Sequence, residues 1–288
     1  MDRTASKPVV IQQYNVESFR AASLTDIAPG LYHGFTSMIA PRGGKSFAQS
    51  LEVYLQGSGI QDFQIDYLTQ DHSSEILFVA GERVVLSSTF ARRGPLKEES
   101  SQVAFVPLRG DGMVMQPAAG RFVAIQSADC VPILAINPHL SQFAALHAGW
   151  RGVAGGILTH LLDEWLRRGR RLDGVRLAFG PSIRSCCYEV KGDCLSRFPQ
   201  MMLEGAVSPR AGNLYLELTA VLLNQALSFG VDRLQVEILP ICTCCYNSPK
   251  AFARFASYRR ALRFGTGTRA RNASFIGMDN KGAPSSQF

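Results

Sequence analysis

The chain has 288 residues, 46% of them hydrophobic, which is enough for one sizeable core. No run of about 18 apolar residues occurs and the N-terminal residues lack a signal-peptide pattern, so the sequence predicts neither a membrane span nor secretion. The formal net charge of +7 favours an anionic ligand such as phosphate over nucleic acid, because no zinc finger, RNP motif or recognition-helix pattern accompanies the basic residues.

The first elements surround a cation in a glycine-rich loop. Residues 1–30 are predicted to form an edge segment, and 31–37 (L-Y-H-G-F-T-S) a strand. The loop A-P-R-G-G-K-S that follows places Arg42 beside two glycines, an arrangement that suits an anion but is equally an ordinary loop. Helical spacing of apolar residues then predicts a helix over 47–56.

A histidine lies between the next two predicted strands, 63–68 and 76–80. His72 follows Gln70 and Asp71 at this strand boundary, where a lone histidine is usually structural. The stretch 83–108 contains a charged run, and we expect a hairpin-like excursion with an exposed tip.

Two chemically reactive residues end neighbouring apolar runs. Strands are predicted over 122–126, 131–136 and 143–146, with Cys130 before the second and His147 after the third. The separation of 17 residues allows one strand, a turn and a returning strand. If the two strands pair, the thiol and the imidazole lie at the same edge of the sheet.

One amphipathic helix is predicted from about Gly152 to Gly169, with a ligand or the sheet close to Gly155-Gly156. Its N-terminus would follow His147 and favour an anion. The remaining predictions are strands over 175–179, 214–218 and 234–239, a helix followed by a polar loop over 191–213, a helix over 218–229, and a disordered tail over 279–288.

The pairing of thiol and imidazole leaves three interpretations open. His72, Cys130 and His147 would suit one zinc ion with an open coordination position; Cys130 with His147 would suit a nucleophile and its base; or both are ordinary core residues. Spacing alone does not choose among them. No P-loop, dinucleotide-binding or nucleophile-elbow motif is present, so those enzyme classes lose support.

The seven cysteines are an odd number and include two vicinal pairs, which favours reduced thiols and a cytoplasmic protein. Cys186, Cys187, Cys242, Cys244 and Cys245 form a second candidate group, and C-T-C-C could help to hold a second zinc ion. Because vicinal side chains are expected to point in different directions, we do not predict a metal site there.

The motifs A-D-C-V-P-I-L, A-A-L-H-A-G-W-R-G and G-P-S-I resemble a bacterial family once called laccase-like or polyphenol oxidase and now described as zinc-dependent purine nucleoside phosphorylases. H-G-F-T and F-A-S-Y-R-R also match, so that the resemblance covers about residues 31–278. It implies cleavage of purine nucleosides by phosphate, with adenosine deamination as a second reaction. A metal-independent Cys–His hydrolase is the alternative, and a copper oxidase is disfavoured because the chain has only 5 histidines.

The resemblance also implies roles for individual residues. His72, Cys130 and His147 correspond to the metal ligands of the family, and Arg42 corresponds to an arginine near its N-terminus. Our mechanistic hypothesis adds the other roles. Cys130 and His147 are also catalytic, Asp129 is a proton carrier, a partner of the ligands or a turn residue, and Arg42, Arg151 and Arg259 contact phosphate or substrate.

The implied fold is a single layered α/β/β/α domain around mixed sheets over 31–278, similar to that of a deamidating toxin with a Cys–His pair. We expect a monomer or weak dimer acting on a small nucleoside and phosphate, without nucleic acid or membrane partners.

Overall fold

The structure is a computed structural model, and it describes residues 9–11, 16–25, 27–39, 46–80, 83–86, 108–168, 171–246, 255–265 and 270–280. Arg42, the charged run at 91–101 and the end of the tail, 281–288, lie outside the described residues. Among the helices of these segments, none combines the length and the apolar character that crossing a bilayer requires.

The described strands form three sheets. In chain order they are β1 (Val9–Ile11), β2 (Val16–Phe19), β3 (Leu31–Ile39), β4 (Gln64–Asp66), β5 (Ile76–Ala80), β6 (Arg83–Leu86), β7 (Gly112–Met115), β8 (Arg121–Ser127), β9 (Val131–Asn137), β10 (Gln142–Ala148), β11 (Arg176–Phe179), β12 (Glu189–Val190), β13 (Val207–Arg210), β14 (Asn213–Leu216), β15 (Val236–Ile238) and β16 (Arg271–Met278). The strand orders are β1-β2-β3-β16-β8-β4, β15-β11-β9-β10-β7-β5-β6 and β12-β14-β13. Both large sheets contain parallel and antiparallel pairs, which confirms the prediction of a mixed α/β fold.

The described helices are α1 (Phe47–Gly57), α2 (Trp150–Ala154), α3 (Ile157–Arg167), α4 (Gly192–Leu195), α5 (Leu218–Ser228) and α6 (Tyr258–Phe264). Ser46 begins α1 with a capping box, in which its hydroxyl accepts from the Gln49 N–H and the Gln49 side chain accepts from the Ser46 N–H. The predicted start of α1 is therefore confirmed by local chemistry.

Alternate residues of the central strands face two different hydrophobic cores. On β9, Leu134 and Ile136 pack between the two large sheets, whereas Ile133 and Ala135 pack under α3 and α5. A third core lies between α1 and the outer face of the six-stranded sheet. This arrangement explains why β9 and β10 are buried along their whole length and read as continuous apolar runs.

The prediction of one helix over 152–169 is wrong in one respect, because the chain forms two helices there, α2 and α3. The break falls at Gly155-Gly156, where Gly156 has φ 84° in the left-handed region. Glycine adopts this conformation without steric cost, so the pair ends α2 and lets α3 start in a new direction. The helix that directly follows His147 has only five residues.

Other element boundaries also differ from the sequence predictions. The strand predicted over 63–68 is reduced to β4, and the strand predicted over 234–239 is reduced to β15 after a 3-10 turn at Arg233–Gln235. The predicted polar loop before 214 contains β13, which pairs with β14 as a hairpin. In the predicted tail, the Asp279 N–H donates to the Gly30 carbonyl and the Asn280 side chain donates to the Gln61 carbonyl.

Candidate functional site

The pairing of β9 with β10 brings Cys130 and His147 to one edge of the seven-stranded sheet. The strands are antiparallel, with His147 opposite Pro132 and Ala148 opposite Val131. Cys130 immediately precedes β9 and therefore lies beside the end of β10. The antiparallel pairing that the 17-residue separation allows is therefore present.

His72 joins these two residues. The donor atoms of His72, Cys130 and His147 all lie within 4.8 Å of one another, and the two imidazole rings have centroids 5.0 Å apart at an interplanar angle of 80°. His147 is buried, Cys130 is half-buried and His72 is exposed. The group therefore opens to solvent on the side of His72.

The loop that carries His72 is fixed by two sets of hydrogen bonds. The Gln70 side chain accepts from the Gln126 N–H at 2.9 Å and donates to the Gln126 carbonyl at 2.8 Å, as a neighbouring strand would. The N–H and hydroxyl of Ser73 both donate to Asp111, at 2.7 and 3.0 Å. These contacts hold His72 at φ 63°, a left-handed conformation that a non-glycine residue seldom adopts.

Asp111 is a buried residue that orients His147, and the sequence did not predict this role. Its Oδ1 lies 2.7 Å from His147 Nδ1, and its carboxyl group is fully buried. The contact leaves Nε2 as the ring nitrogen of His147 that is available to a ligand. The available signal was an acidic residue between two glycines, directly before the strand that pairs with β10.

The charges of the group shift each other's protonation. Burial raises the pKa of the Cys130 thiol, but the charge of His147 and hydrogen bonds from both histidines outweigh burial and lower this pKa to about 6. Burial lowers the pKa of His147, and the Cys130 thiolate together with Asp111 raises it to about 9. Without a metal ion, these pKa values favour a thiolate–imidazolium pair at neutral pH.

Asp129 connects the Cys130 turn to two other loops. Its Oδ1 accepts from the Thr243 hydroxyl and its Oδ2 accepts from the Arg259 N–H, both at 2.7 Å, and its carbonyl accepts from the Ile183 N–H. Its φ of 89° is again left-handed. Of the roles considered for Asp129, these contacts favour that of a turn residue that positions Cys130.

The predicted cationic residues have different surroundings. The Arg259 guanidinium donates to the carbonyls of Cys187 and Glu189 and lies 5.4 Å from the centre of the Tyr188 ring. Arg151 is exposed, with its guanidinium 4.5 Å from the centre of the Trp150 ring. The structure therefore places Arg259 against Asp129 and Arg151 on the helix after His147.

The other three histidines have contacts elsewhere. Buried His33 accepts from the Ala21 N–H, His139 contacts the Asp173 carbonyl, and His160 contacts the Ser74 carbonyl. Among the described residues, groups that could hold a metal ion occur in two places, and only the group at Cys130 contains histidine.

The second group is formed by Cys186, Cys187, Cys242 and Cys245, whose sulfur atoms all lie within 4.8 Å of one another. The expectation that vicinal side chains would diverge is wrong for Cys186 and Cys187, because both sulfurs enter the same group. The sharp turn after β11 brings them together, with the Cys187 and Tyr188 N–H groups both donating to the Arg184 carbonyl. Cys244 packs beside the group as a buried thiol.

The family model described as multi-copper polyphenol oxidoreductase laccase matches residues 45–279, and the chain belongs to this family. The resemblance seen in the motifs is thereby confirmed.

Two relatives of the chain have names that refer to purine nucleosides. The chain is 34% identical over 164 residues to "Purine nucleoside phosphorylase YlmD" of Geobacillus stearothermophilus, and 28% identical over 151 residues to "Adenosine deaminase RL5" of an unknown prokaryotic organism. The matches cover 55% and 51% of this chain, and they span 57% and 58% of the two relatives.

Solved structures share the fold along nearly the whole chain. The crystal structure of YlmD from Geobacillus stearothermophilus superposes with a TM-score of 0.66 at 22% identity, covering 97% of this chain and 98% of the other. The Bacillus licheniformis hypothetical protein YfiH gives a TM-score of 0.66 at 25% identity, covering 96% and 97%.

Proposed function

We propose that this protein is a purine nucleoside phosphorylase that also deaminates adenosine at the same site. The convergence of His72, Cys130 and His147 carries this proposal, because it forms an open donor group in a chain whose relatives are named for these two reactions. In phosphorolysis the bond from the sugar C1′ to the purine nitrogen breaks and a bond from C1′ to a phosphate oxygen forms. The departing base takes up a proton.

The residues fit a single zinc ion. Two imidazoles and one thiolate form a donor set that zinc prefers, and three protein ligands leave a position for a reactant. The lowered pKa of Cys130 favours the thiolate that a metal requires, and Asp111 fixes the ring of His147. A bound zinc ion would supply Lewis-acid chemistry. The wide dispersal of the histidines does not suit the several histidine-rich sites of a copper laccase.

Substrate binding is assigned to three arginines. Arg151 and Arg259 are the described cations proposed to contact phosphate or nucleoside, and Arg42 remains a further candidate. Because the guanidinium of Arg259 already donates to two carbonyls, its contribution would be electrostatic and positional. Exposed Arg151 keeps donors available to phosphate.

A Cys–His hydrolase is the second candidate function, and one observation favours it. Cys130 is hydrogen-bonded to His147 and His147 to Asp111, so a thiolate, a base and an orienting carboxylate are connected as in a nucleophilic triad. The position of His72 argues for the phosphorylase, because a hydrolase of this type does not need a third donor within 4.8 Å.

The proposal also covers the extent and layering of the domain, the oligomeric state and the cellular location. Residues 31–278 would act as one catalytic domain, with the α/β/β/α layering and the likeness to a deamidating toxin that the sequence implied. We infer a monomer or weak dimer, and the seven free cysteines support a reducing, cytoplasmic environment.

Release of hypoxanthine and ribose 1-phosphate from inosine, measured with and without phosphate, tests the proposed reaction. His72→Ala should lose the zinc ion of the His72–Cys130–His147 group and lower the rate on the order of 100-fold, because it removes a ligand, whereas His139→Ala should retain that ion and the rate. A wild-type protein that hydrolyses amides without metal or phosphate, and leaves inosine intact, would overturn the phosphorylase in favour of the hydrolase.

A further inference from the structure

A parallel strand pair creates a second convergence of thiols, away from the His72–Cys130–His147 group. β11 and β15 are parallel neighbours, so their carboxyl ends lie at the same edge of the sheet. Cys186 and Cys187 follow β11, and Cys242 and Cys245 follow β15. A parallel bridge between Ser182 and Cys242 extends the pairing into both loops.

The sulfur positions suit one small ion. Four thiolates at about 2.3 Å from a tetrahedral zinc ion lie about 3.8 Å from each other. Here all four sulfur atoms are within 4.8 Å of one another, and Cys186 Sγ lies 3.6 Å from Cys245 Sγ. The four donors therefore need only a small adjustment to surround a single ion.

The local chain also has features of a metal knuckle. Cys242 and Cys245 have the C-x-x-C spacing, and the turn between them is closed by the Tyr246 N–H donating to the Cys242 carbonyl. The backbone N–H groups of Arg184, Cys244 and Cys245 donate hydrogen bonds to the Cys242 sulfur. Amide donors of this kind stabilise a thiolate.

Access to the group is open on one side. Cys186 and Cys245 are exposed, whereas Cys187 and Cys242 are buried against Ile183. A surface cavity of about 510 Å³ reaches Cys186, Cys242 and Cys245. An ion can therefore enter from solvent without opening the core.

We propose that Cys186, Cys187, Cys242 and Cys245 bind one zinc ion as a four-thiolate structural site. Binding forms four zinc–sulfur bonds, and each thiol that ligates releases its proton to solvent. Because all four positions are filled by protein, this ion has no place for a substrate.

The position of the group indicates what the ion would brace. The loop after β11 donates to the Asp129 carbonyl through the Ile183 N–H, and the loop after β15 donates to the Asp129 carboxylate through the Thr243 hydroxyl. The same two loops carry the four cysteines. An ion that ties them together would therefore hold the turn that presents Cys130.

Zinc content of four full-length proteins, measured after zinc loading and desalting, tests the site. Wild type and Cys194→Ser should each hold two ions, Cys130→Ser should keep one, and Cys130→Ser/Cys186→Ser/Cys245→Ser should hold none. Cys186 and Cys245 are chosen because serine at these exposed positions leaves the buried thiols packed. Equal zinc contents in Cys130→Ser and the triple variant would overturn the proposal.

X-ray absorption of zinc-loaded Cys130→Ser provides an independent readout. The expected shell contains four sulfur atoms at about 2.3 Å, and a shell that contains nitrogen would overturn the assignment. A count of titratable thiols in Cys130→Ser checks that the proposed ligands are free thiols. Loss of two thiols to a Cys186–Cys245 disulfide would also overturn the zinc assignment. Neither result depends on whether the chain cleaves nucleosides.

Discussion

At the scale of single residues, His147 lies between the Asp111 carboxylate and the two other proposed metal ligands, Cys130 and His72. Asp111 accepts from its Nδ1 and, through its other oxygen, from the Ser73 N–H and hydroxyl. One buried carboxylate therefore positions both histidines, because Ser73 is the neighbour of His72. The alignment of the two rings depends on Asp111.

Replacing Asp111 with Asn should weaken zinc binding at the His72–Cys130–His147 group about 10- to 100-fold, because an amide binds the imidazole less strongly and can present its donor instead. Zinc titration of Asp111→Asn in the Cys186→Ser/Cys245→Ser background measures this group alone. Asp163→Asn, which changes an exposed carboxylate on α3, is the matched control. A lower melting temperature with unchanged zinc affinity would show that Asp111 only holds the loop.

The shifted pKa of Cys130 predicts the pH dependence of its reactivity in zinc-free protein. Because this pKa is lowered to about 6, the reactive thiolate is present above that pH and is lost as the pH falls through it. Alkylation by iodoacetamide, followed for the Cys130 peptide by mass spectrometry, should be half-maximal near pH 6.

Cys194 provides the internal comparison for this measurement. Burial and the charge of Asp193 raise the pKa of Cys194, so its alkylation should begin only in alkaline solution. Equal midpoints for the two peptides would contradict the thiolate–imidazolium pair.

At the scale of elements, the connection between β10 and α2 needs a residue without a side chain. A Cβ at Gly149 would lie 3.0 Å from Cys130 Sγ and 3.1 Å from His72 Cδ2. Both contacts are tighter than side chains normally make, so a methyl group here would push the two proposed ligands away from their positions.

Gly149→Ala should therefore lower inosine phosphorolysis on the order of 10-fold or more, while the protein remains folded, because small misplacements at a reacting centre are costly. The rate and the far-UV circular dichroism are measured together. Gly192→Ala, at the start of α4, adds a methyl group that meets nothing within 4 Å and is the control. Full activity in Gly149→Ala would show that the group tolerates displacement.

Sequence patterns predicted the elements whose signals are local. β9 and β10 are continuous apolar runs because both of their faces are buried. The start of α1 depends on Ser46 and Gln49, which lie close together in the sequence. β13 was missed because it is short, polar and exposed, so it has little hydrophobic alternation, whereas a strand at its partner β14 was predicted. The break in the helix after His147 depends on the backbone at Gly156, and a glycine pair alone did not reveal it.

At the scale of the whole molecule, the largest gap between sequence and structure is the order of the strands. β16, near the end of the chain, lies between β3 and β8, pairing Phe275 with Gly34 and Ala124. The pairing with β3 joins residues more than 200 positions apart and the pairing with β8 joins residues about 150 positions apart, and no local pattern encodes either. The contact of Asp111 with His147 is of the same kind. The convergence of His72 with Cys130 was one of three interpretations left open by the residues, and the family resemblance also implied it.

Gly180, after β11, faces Phe35 on β3 across the space between the two large sheets. A Cβ on Gly180 would lie 2.2 Å from Phe35 Cδ1 and 2.8 Å from Pro132 Cγ, and Phe35 is fully buried. The Gly180 N–H also donates to the Pro132 carbonyl at 2.8 Å, so the backbone cannot easily retreat. The separation of the sheets at this point therefore requires glycine.

Gly180→Ala should lower the free energy of unfolding by about 1–3 kcal/mol, because an added methyl group over-packs the core. Urea denaturation measures the change, with Gly192→Ala as the unstrained control. A double-mutant cycle locates the cause: in a Phe35→Ala background, the same methyl group occupies space that the ring has vacated, so Gly180→Ala should cost far less than it does alone. Additive losses would place the strain at Pro132 rather than between the sheets.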